Sequence, residues 1–374
     1  MNENLRRLFP ALQKYTYLNS AANSLMPSMT IEAVYSQLRD ASENGTVNFL
    51  EWIQTKQRAR QMVAEMLKVR AEQIAFMRNT SDGFSTIANG LDWAEGDNIV
   101  SFEREFPANF YAWRMVRDKF GVDLRLCPER DGRIDLDEFI GLIDSNTRLV
   151  SISAVQYATG FCADLERIGR AAREADALFA VDIIQGFGAM PFDLPAQFVD
   201  IAAGASHKWL CSPEGCGILY LSERARERVE PTLVGWVSVE AARNFEDTAQ
   251  AWKPNALAWE SGTSAASLFY GLEQSLKLLH ETGAENIWNH LEDLTDYLCE
   301  LLQAKNYEIV SSRAGSEKSQ IVCILPRANQ SSDELAENLQ NENIIVSPRG
   351  ERIRIAPHFF NNHADIEKLI EALP

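Results

Sequence analysis

Between about residues 50 and 220 the chain alternates short apolar runs with amphipathic helical stretches, and this alternation narrows the folds open to it more than any other feature. Ile74–Arg78, Asn98–Phe102, Asp123–Cys127, Arg148–Val155, Leu178–Ile183, Ile201–Gly204 and Gly217–Leu221 are mostly apolar and bounded by turn residues. Runs without polar alternation suit strands covered on both faces, the situation of a wound, mainly parallel sheet. Between them, Trp52–Val69 is periodic as a helix, Ala108–Phe120 stops at Gly121, and Leu165–Ala175 follows Asp164 as an N-cap. The pattern is that of an α/β domain.

Beyond Leu221 the texture changes. An irregular stretch containing Trp and Pro, Val229–Glu260, leads into helical patterns at Ser264–Leu279 and Ala284–Ala304. Strand-like Glu308–Val310, Gln320–Leu325, Ile344–Val346 and Arg352–Ile355 then interleave with helical Ser332–Gln340 and Ala364–Leu373, which predicts a smaller C-terminal α+β domain. No internal repeat or low-complexity segment interrupts the chain.

Charge excludes some partners. With 36 Lys plus Arg against 53 Asp plus Glu, the net charge of -17 repels phosphate backbones and anionic membranes, so neither nucleic acid nor a membrane is an expected partner. No stretch approaches the ~18 uninterrupted apolar residues of a membrane span, and the N-terminal sequence lacks the apolar core of a signal peptide, so the expected location is the cytoplasm. The six cysteines are scattered without a C-x-x-C, which reads as reduced thiols rather than a disulfide framework or a metal site.

Polar residues at the predicted strand ends are the candidates for chemistry, because open α/β sheets gather ligands there. Asp182 closes an apolar run, where it either caps a neighbouring helix or faces a cationic ligand. Lys208, in Ala205–Ser206–His207–Lys208–Trp209–Leu210, is either a surface lysine or an amine made nucleophilic by desolvation in a pocket. Thr80, Ser81 and Asp82 stand between a strand and a helix, as a plain N-cap or as a cradle for a phosphate.

In this order, a Ser/Thr-rich cradle, Asp-x-x-Gln and Ser-His-Lys, the sequence resembles the class V aminotransferase group of fold-type I pyridoxal phosphate enzymes. That group includes cysteine desulfurases, selenocysteine lyases and isopenicillin N epimerases. The resemblance extends to Tyr17–Ala22, Glu105–Asn109, Ser153–Gly160, Glu260–Thr263 and Ile353–His358. It implies a seven-stranded, mainly parallel sheet in a large domain of residues 20–255, with residues 1–19 and 256–374 forming the small domain.

It also implies roles. Lys208 would form the Schiff base with pyridoxal 5'-phosphate and then shuttle a proton at the substrate α-carbon. Asp182 would pair with the pyridine nitrogen, Gln185 would donate to the phenolic oxygen, and Gln156 would share that task. Thr80, Ser81, Ser206, His207 and Thr263 of a second subunit would contact the phosphate, which makes a homodimer with shared active sites the expected assembly. Phe106 stands where desulfurases of the group place a stacking His; it keeps the ring face and loses the proton donor. Arg354 would hold the α-carboxylate of an amino acid substrate.

One departure separates the chain from the desulfurases. Their nucleophilic Cys sits on a loop shortly before the carboxylate-binding arginine, and here Asn343–Arg352 contains none. The reading that follows is an aminotransferase or epimerase-like enzyme acting on an amino acid or amine. The alternatives are a Cβ-lyase related to desulfurases but lacking the loop cysteine, and a non-catalytic cofactor-binding dimer.

Overall fold

The computed structural model describes residues 3–374. Its main sheet has seven strands: β1 (Ile74–Met77), β2 (Asn98–Phe102), β3 (Asp123–Cys127), β4 (Thr147–Ser153), β5 (Leu178–Asp182), β6 (Ile201–Ala205) and β7 (Gly217–Leu221). They lie in the order β1-β7-β6-β5-β4-β2-β3. Neighbours run parallel except at β7, which is antiparallel to both β1 and β6. The continuous apolar runs of the sequence have their explanation here, since β1, β2, β5, β6 and β7 are buried along their whole length.

Helices cover both faces: α1 (Ser28–Asn44), α2 (Phe49–Leu67), α3 (Thr80–Gly90), α4 (Pro107–Phe120), α5 (Leu165–Glu174) and α6 (Ala266–Thr282). Within β5, Leu178 and Ala180 join the core under α3 and α4, while Phe179 and Val181 join that under α2, α5 and α6. Each fully buried Leu, Ile, Val or Phe stabilises such a core by roughly 1.5–3 kcal/mol. Gly217 opens β7 against the loop before α3; a Cβ there would stand 2.5 Å from the Asn79 backbone nitrogen, so only glycine lets the strand pass.

A second unit follows. β8 (Val322–Ile324), β9 (Ser347–Arg349) and β10 (Arg352–Ile355) form an antiparallel sheet in the order β8-β10-β9. Its core is closed by α7 (Ala284–Ala304), α8 (Ser332–Asn341) and α9 (His363–Ala372). The N-terminal segment joins this unit, Thr16–Tyr17 pairing in parallel with Ile344–Ile345. The divide between the two cores falls inside α7: Ile287 and Leu291 pack with the large core, Leu294, Leu298 and Leu302 with the small one. Likewise α6 packs on α1 and α2. Around Ile309 only an isolated bridge to Ile324 forms in place of a full strand. Among the described residues no helix is long and apolar enough to cross a membrane.

Candidate active site

The C-terminal ends of the parallel strands deliver the candidate residues to one place. Thr80 follows β1, Glu105 and Phe106 follow β2, Gln156 follows β4, Asp182 ends β5, and Ser206 to Lys208 follow β6. Asp182 is 1% exposed and Lys208 6% exposed. The Lys208 Nζ lies 5.3 Å from the centroid of the Phe106 ring. Asp182 Oδ1 accepts a hydrogen bond from the Ile184 N–H at 2.9 Å, while its Oδ2 is buried with no partner. Burial pushes the Asp182 carboxyl up, against the pull of the Ile184 N–H and Lys208. Burial likewise pushes the Lys208 amine down; Asp182 opposes this, and Arg354 and Arg349 add to it. An amine held back from full protonation in a dry pocket is a nucleophile towards a carbonyl.

The start of α3 is capped by Asn79, whose side chain accepts from the Asp82 N–H at 2.9 Å. Thr80 therefore does not serve as the cap, and its buried Oγ1 has no partner. Ser81 is exposed, and Asp82 pairs with Arg78 at 2.6 Å. Helix N-terminal N–H groups beside an unpaired hydroxyl suit an anion.

Ser206 is fully buried, and its Oγ donates to the Pro213 carbonyl at 2.5 Å. His207 is half-buried, its imidazole pushed down by burial and by Lys208, with Glu214 opposing. Thr263 lies in the loop that follows Glu260. It is exposed on the rim of a cavity of about 460 Å³ that Arg78, Asp82 and Lys56 also line. Its loop is tied down by Glu260, which accepts from Arg60 at 2.7 Å, the Phe76 N–H at 2.9 Å and Lys56 at 2.7 Å. Burial works against that charge, yet Arg60 and Lys56 hold the carboxyl down at about 2.

The two glutamines are largely engaged by the protein. Gln156 donates to the Arg104 carbonyl at 2.8 Å and accepts from the N–H groups of Ala158 and Thr159 at 2.5 and 2.7 Å. Gln185 donates to the Ala21 carbonyl at 3.0 Å and accepts from Trp209 Nε1 at 2.9 Å. Each retains one amide hydrogen to offer a ligand.

Arg354, 1% exposed, donates from Nη1 to the Tyr157 carbonyl at 2.9 Å, and its Nε and Nη2 have no partner. Burial and then Arg349 work against its charge. A buried guanidinium with two open donors matches a carboxylate.

Glu105 has no role in the sequence analysis, although an acid directly ahead of an aromatic residue at a strand end is a usable signal. Its carboxylate accepts from the Ser153 N–H and Oγ at 2.6 Å each and from the Phe106 N–H at 3.2 Å. It thereby clamps the Phe106 backbone to the end of β4. Burial pushes this carboxyl up to about 8, the Ser153 bonds opposing and Asp182 adding to the effect. The six cysteines are all raised by burial, Cys127, Cys299 and Cys323 to about 11 and Cys162, Cys211 and Cys216 to about 12.

The chain resembles known proteins over most of its length. The chain is 25% identical to an uncharacterized aminotransferase, YcbU, of Bacillus subtilis over 99% of this chain and 97% of that one. It is 29% identical to a probable cysteine desulfurase of Methanothermobacter thermautotrophicus over 79% of this chain and 74% of that one. Among solved structures it resembles the cystine C-S lyase C-DES, 24% identical over 98% of both chains. The TM-score is 0.91 to its complex with cysteine persulfide and 0.90 to a mutant with glycine covalently linked to the PLP cofactor. These likenesses establish the fold-type I architecture. The family model for Aminotransferase class-V matches residues 16–368, and the chain belongs to that family.

Proposed function

We propose that this chain is a pyridoxal-phosphate-dependent enzyme of aminotransferase or epimerase type, acting on an amino acid or amine with Lys208 as its Schiff-base lysine. The observation that carries the reading is the burial of the Lys208 amine beside Asp182, whose Oδ2 is left open. The residues present fit the cofactor of the family. Thr80 Oγ1 and the N-terminus of α3 suit its phosphate, the Asp182 carboxylate its pyridine nitrogen, the Phe106 ring its face, and the spare amide hydrogen of Gln185 its phenolic oxygen. When bound, pyridoxal phosphate supplies an electron sink for charge developing at the substrate α-carbon.

The protein's own groups do the rest. Arg354, with its Nε and Nη2 open, would receive the α-carboxylate and so orient the substrate α-carbon towards Lys208. Lys208, as a free amine, takes and returns the α-proton. Asp182 would hold the pyridine nitrogen with the open Oδ2 of its carboxylate. Phe106 supplies a π-face and no proton. Ser81, Ser206 and His207 border the phosphate side, and Thr263 of a second subunit completes it, so that two copies share their sites.

A Cβ-lyase is the second reading, supported by the 29% identity to a probable cysteine desulfurase. Against a persulfide carried on the protein stands the absence of cysteine from Asn343–Arg352. A half-reaction assay separates the two. Conversion of bound cofactor to pyridoxamine phosphate by an amino donor supports transamination, and release of pyruvate or alanine with a leaving group supports the lyase. A protein that cannot be loaded with the cofactor refutes both.

A further inference from the structure

The hairpin of β9 and β10 carries three arginines on one face. Ser347 lies opposite Arg354 and Arg349 opposite Arg352, so the alternation of a strand places Arg349, Arg352 and Arg354 on the same side. Arg354 is buried and the other two are half-buried. Arg352 is neutralised in the ordinary way, its Nη2 pairing at 3.0 Å with Glu129, a carboxylate itself only 5% exposed. Among the described residues, Arg349 and Arg354 have no such partner. Arg349 Nη1 reaches only the Pro348 carbonyl at 2.7 Å, and Arg354 Nη1 only that of Tyr157 at 2.9 Å.

Among the described residues no carboxylate forms an ion pair with either arginine, and the titratable groups with the largest influence on the pair are Tyr17, Tyr157, Cys323 and Lys208. The chain has 53 acidic side chains against 36 basic ones, so a missing counter-charge here is not a shortage of acids. One substrate α-carboxylate neutralises one guanidinium. The second, close enough for its charge to act on Lys208 and Arg354, is left without an anion.

We propose that Arg349 is a second anion-binding group of the substrate site, and that the substrate is an amino acid bearing an acidic group at the far end of its side chain. This rests on the reading of Lys208 and Arg354 given above and adds the substrate class to it. Arg354 holds the α-carboxylate, and Arg349, its diagonal neighbour across the hairpin, holds the distal acid. The distal acid has two sources of the same chemistry: a side-chain carboxylate or sulfinate, or the second carboxylate of a disulfide-linked amino acid such as cystine.

The test titrates the holoenzyme with matched pairs while following the cofactor absorbance band: aspartate against asparagine, glutamate against glutamine, cysteine sulfinate against serine, and cystine against S-methylcysteine. At least one acidic member binds about 10-fold or more tighter than its neutral partner, and which pair shows the gap identifies the source. In Arg349→Gln that ratio falls towards 1, a loss of about 10-fold or more, and Arg349→Lys, which keeps the charge without the fork, falls between. Equal binding of acidic and neutral partners overturns the proposal. So does a ratio unmoved in an Arg349→Gln protein whose cofactor band and melting temperature are intact, the outcome if an acid from a second copy covers Arg349. If no amino acid perturbs the band, the catalytic reading of Lys208 falls and this inference with it, whereas a preference for neutral amino acids removes this inference alone.

Discussion

Replacing Asp182 by Asn tests the electrostatic core of the site without changing its shape. The Ile184 N–H at 2.9 Å from Oδ1 fixes which way the new amide must point: its oxygen takes the Oδ1 position and its NH₂ the Oδ2 position. The open corner at Oδ2, which has no protein partner, thereby changes from an anionic acceptor into a neutral donor. Removing one member of a buried charge pair costs about 3–5 kcal/mol. At about 1.4 kcal/mol per tenfold change, an effect of that size on the transition state lowers turnover of an amino donor by roughly 10²- to 4 × 10³-fold. The fold survives because the side chain is isosteric and keeps the Ile184 bond, so cofactor absorbance remains while steady-state turnover drops. Turnover within twofold of the parent, measured at equal cofactor occupancy, would refute the assignment of Oδ2 to the pyridine nitrogen.

The shared-site arrangement predicts that mixing Lys208→Ala with Thr263→Ala subunits restores part of the activity through heterodimers, read as turnover after co-refolding; a fully active monomer at assay concentration contradicts it. Because no thiol lies in Asn343–Arg352 and Cys323 is buried and pushed up to about 11, changing each of the six cysteines to Ser in turn leaves turnover per bound cofactor largely intact. Loss of turnover in Cys323→Ser with cofactor retained would move a catalytic thiol to first place. His358 is fully buried, its Nδ1 accepting from the Phe359 N–H at 2.7 Å and its Nε2 lying 3.1 Å from the Trp209 carbonyl; burial pushes it down to about 3, against its ordinary 6.5. Below pH 6.5 the unfolded chain takes up a proton that the folded chain refuses, so stability is lost as pH falls, by about 2 kcal/mol between pH 7 and 5. Urea midpoints at the two pH values show this loss reduced in His358→Gln; an identical loss in both proteins would place the acid sensitivity elsewhere.

Much of the large domain was legible because its signals are local. A strand covered on both faces must be apolar at successive positions, and each of the seven strands falls within about two residues of its run in the sequence. Asp182 and Lys208 stood out for the same reason, as charges set where burial would be costly. Other features depend on partners far along the chain. Gln156 and Gln185 have much of their amide capacity taken by Arg104 and by Ala21 and Trp209. The irregular stretch from Val229 carries no periodicity to read, and α7 has a single apolar face that serves two cores.

The hairpin arginines mark the boundary most clearly. Sequence alone places Arg349, Arg352 and Arg354 near one another on a short strand pattern and determines that all three are charged. Only the folded chain brings Glu129, 223 positions away, to Arg352 and leaves Arg349 and Arg354 with backbone carbonyls. The physical reason is range: hydrophobic periodicity acts over a few residues and is written in the local sequence, whereas neutralising a buried charge depends on which distant groups the packing brings within hydrogen-bond reach.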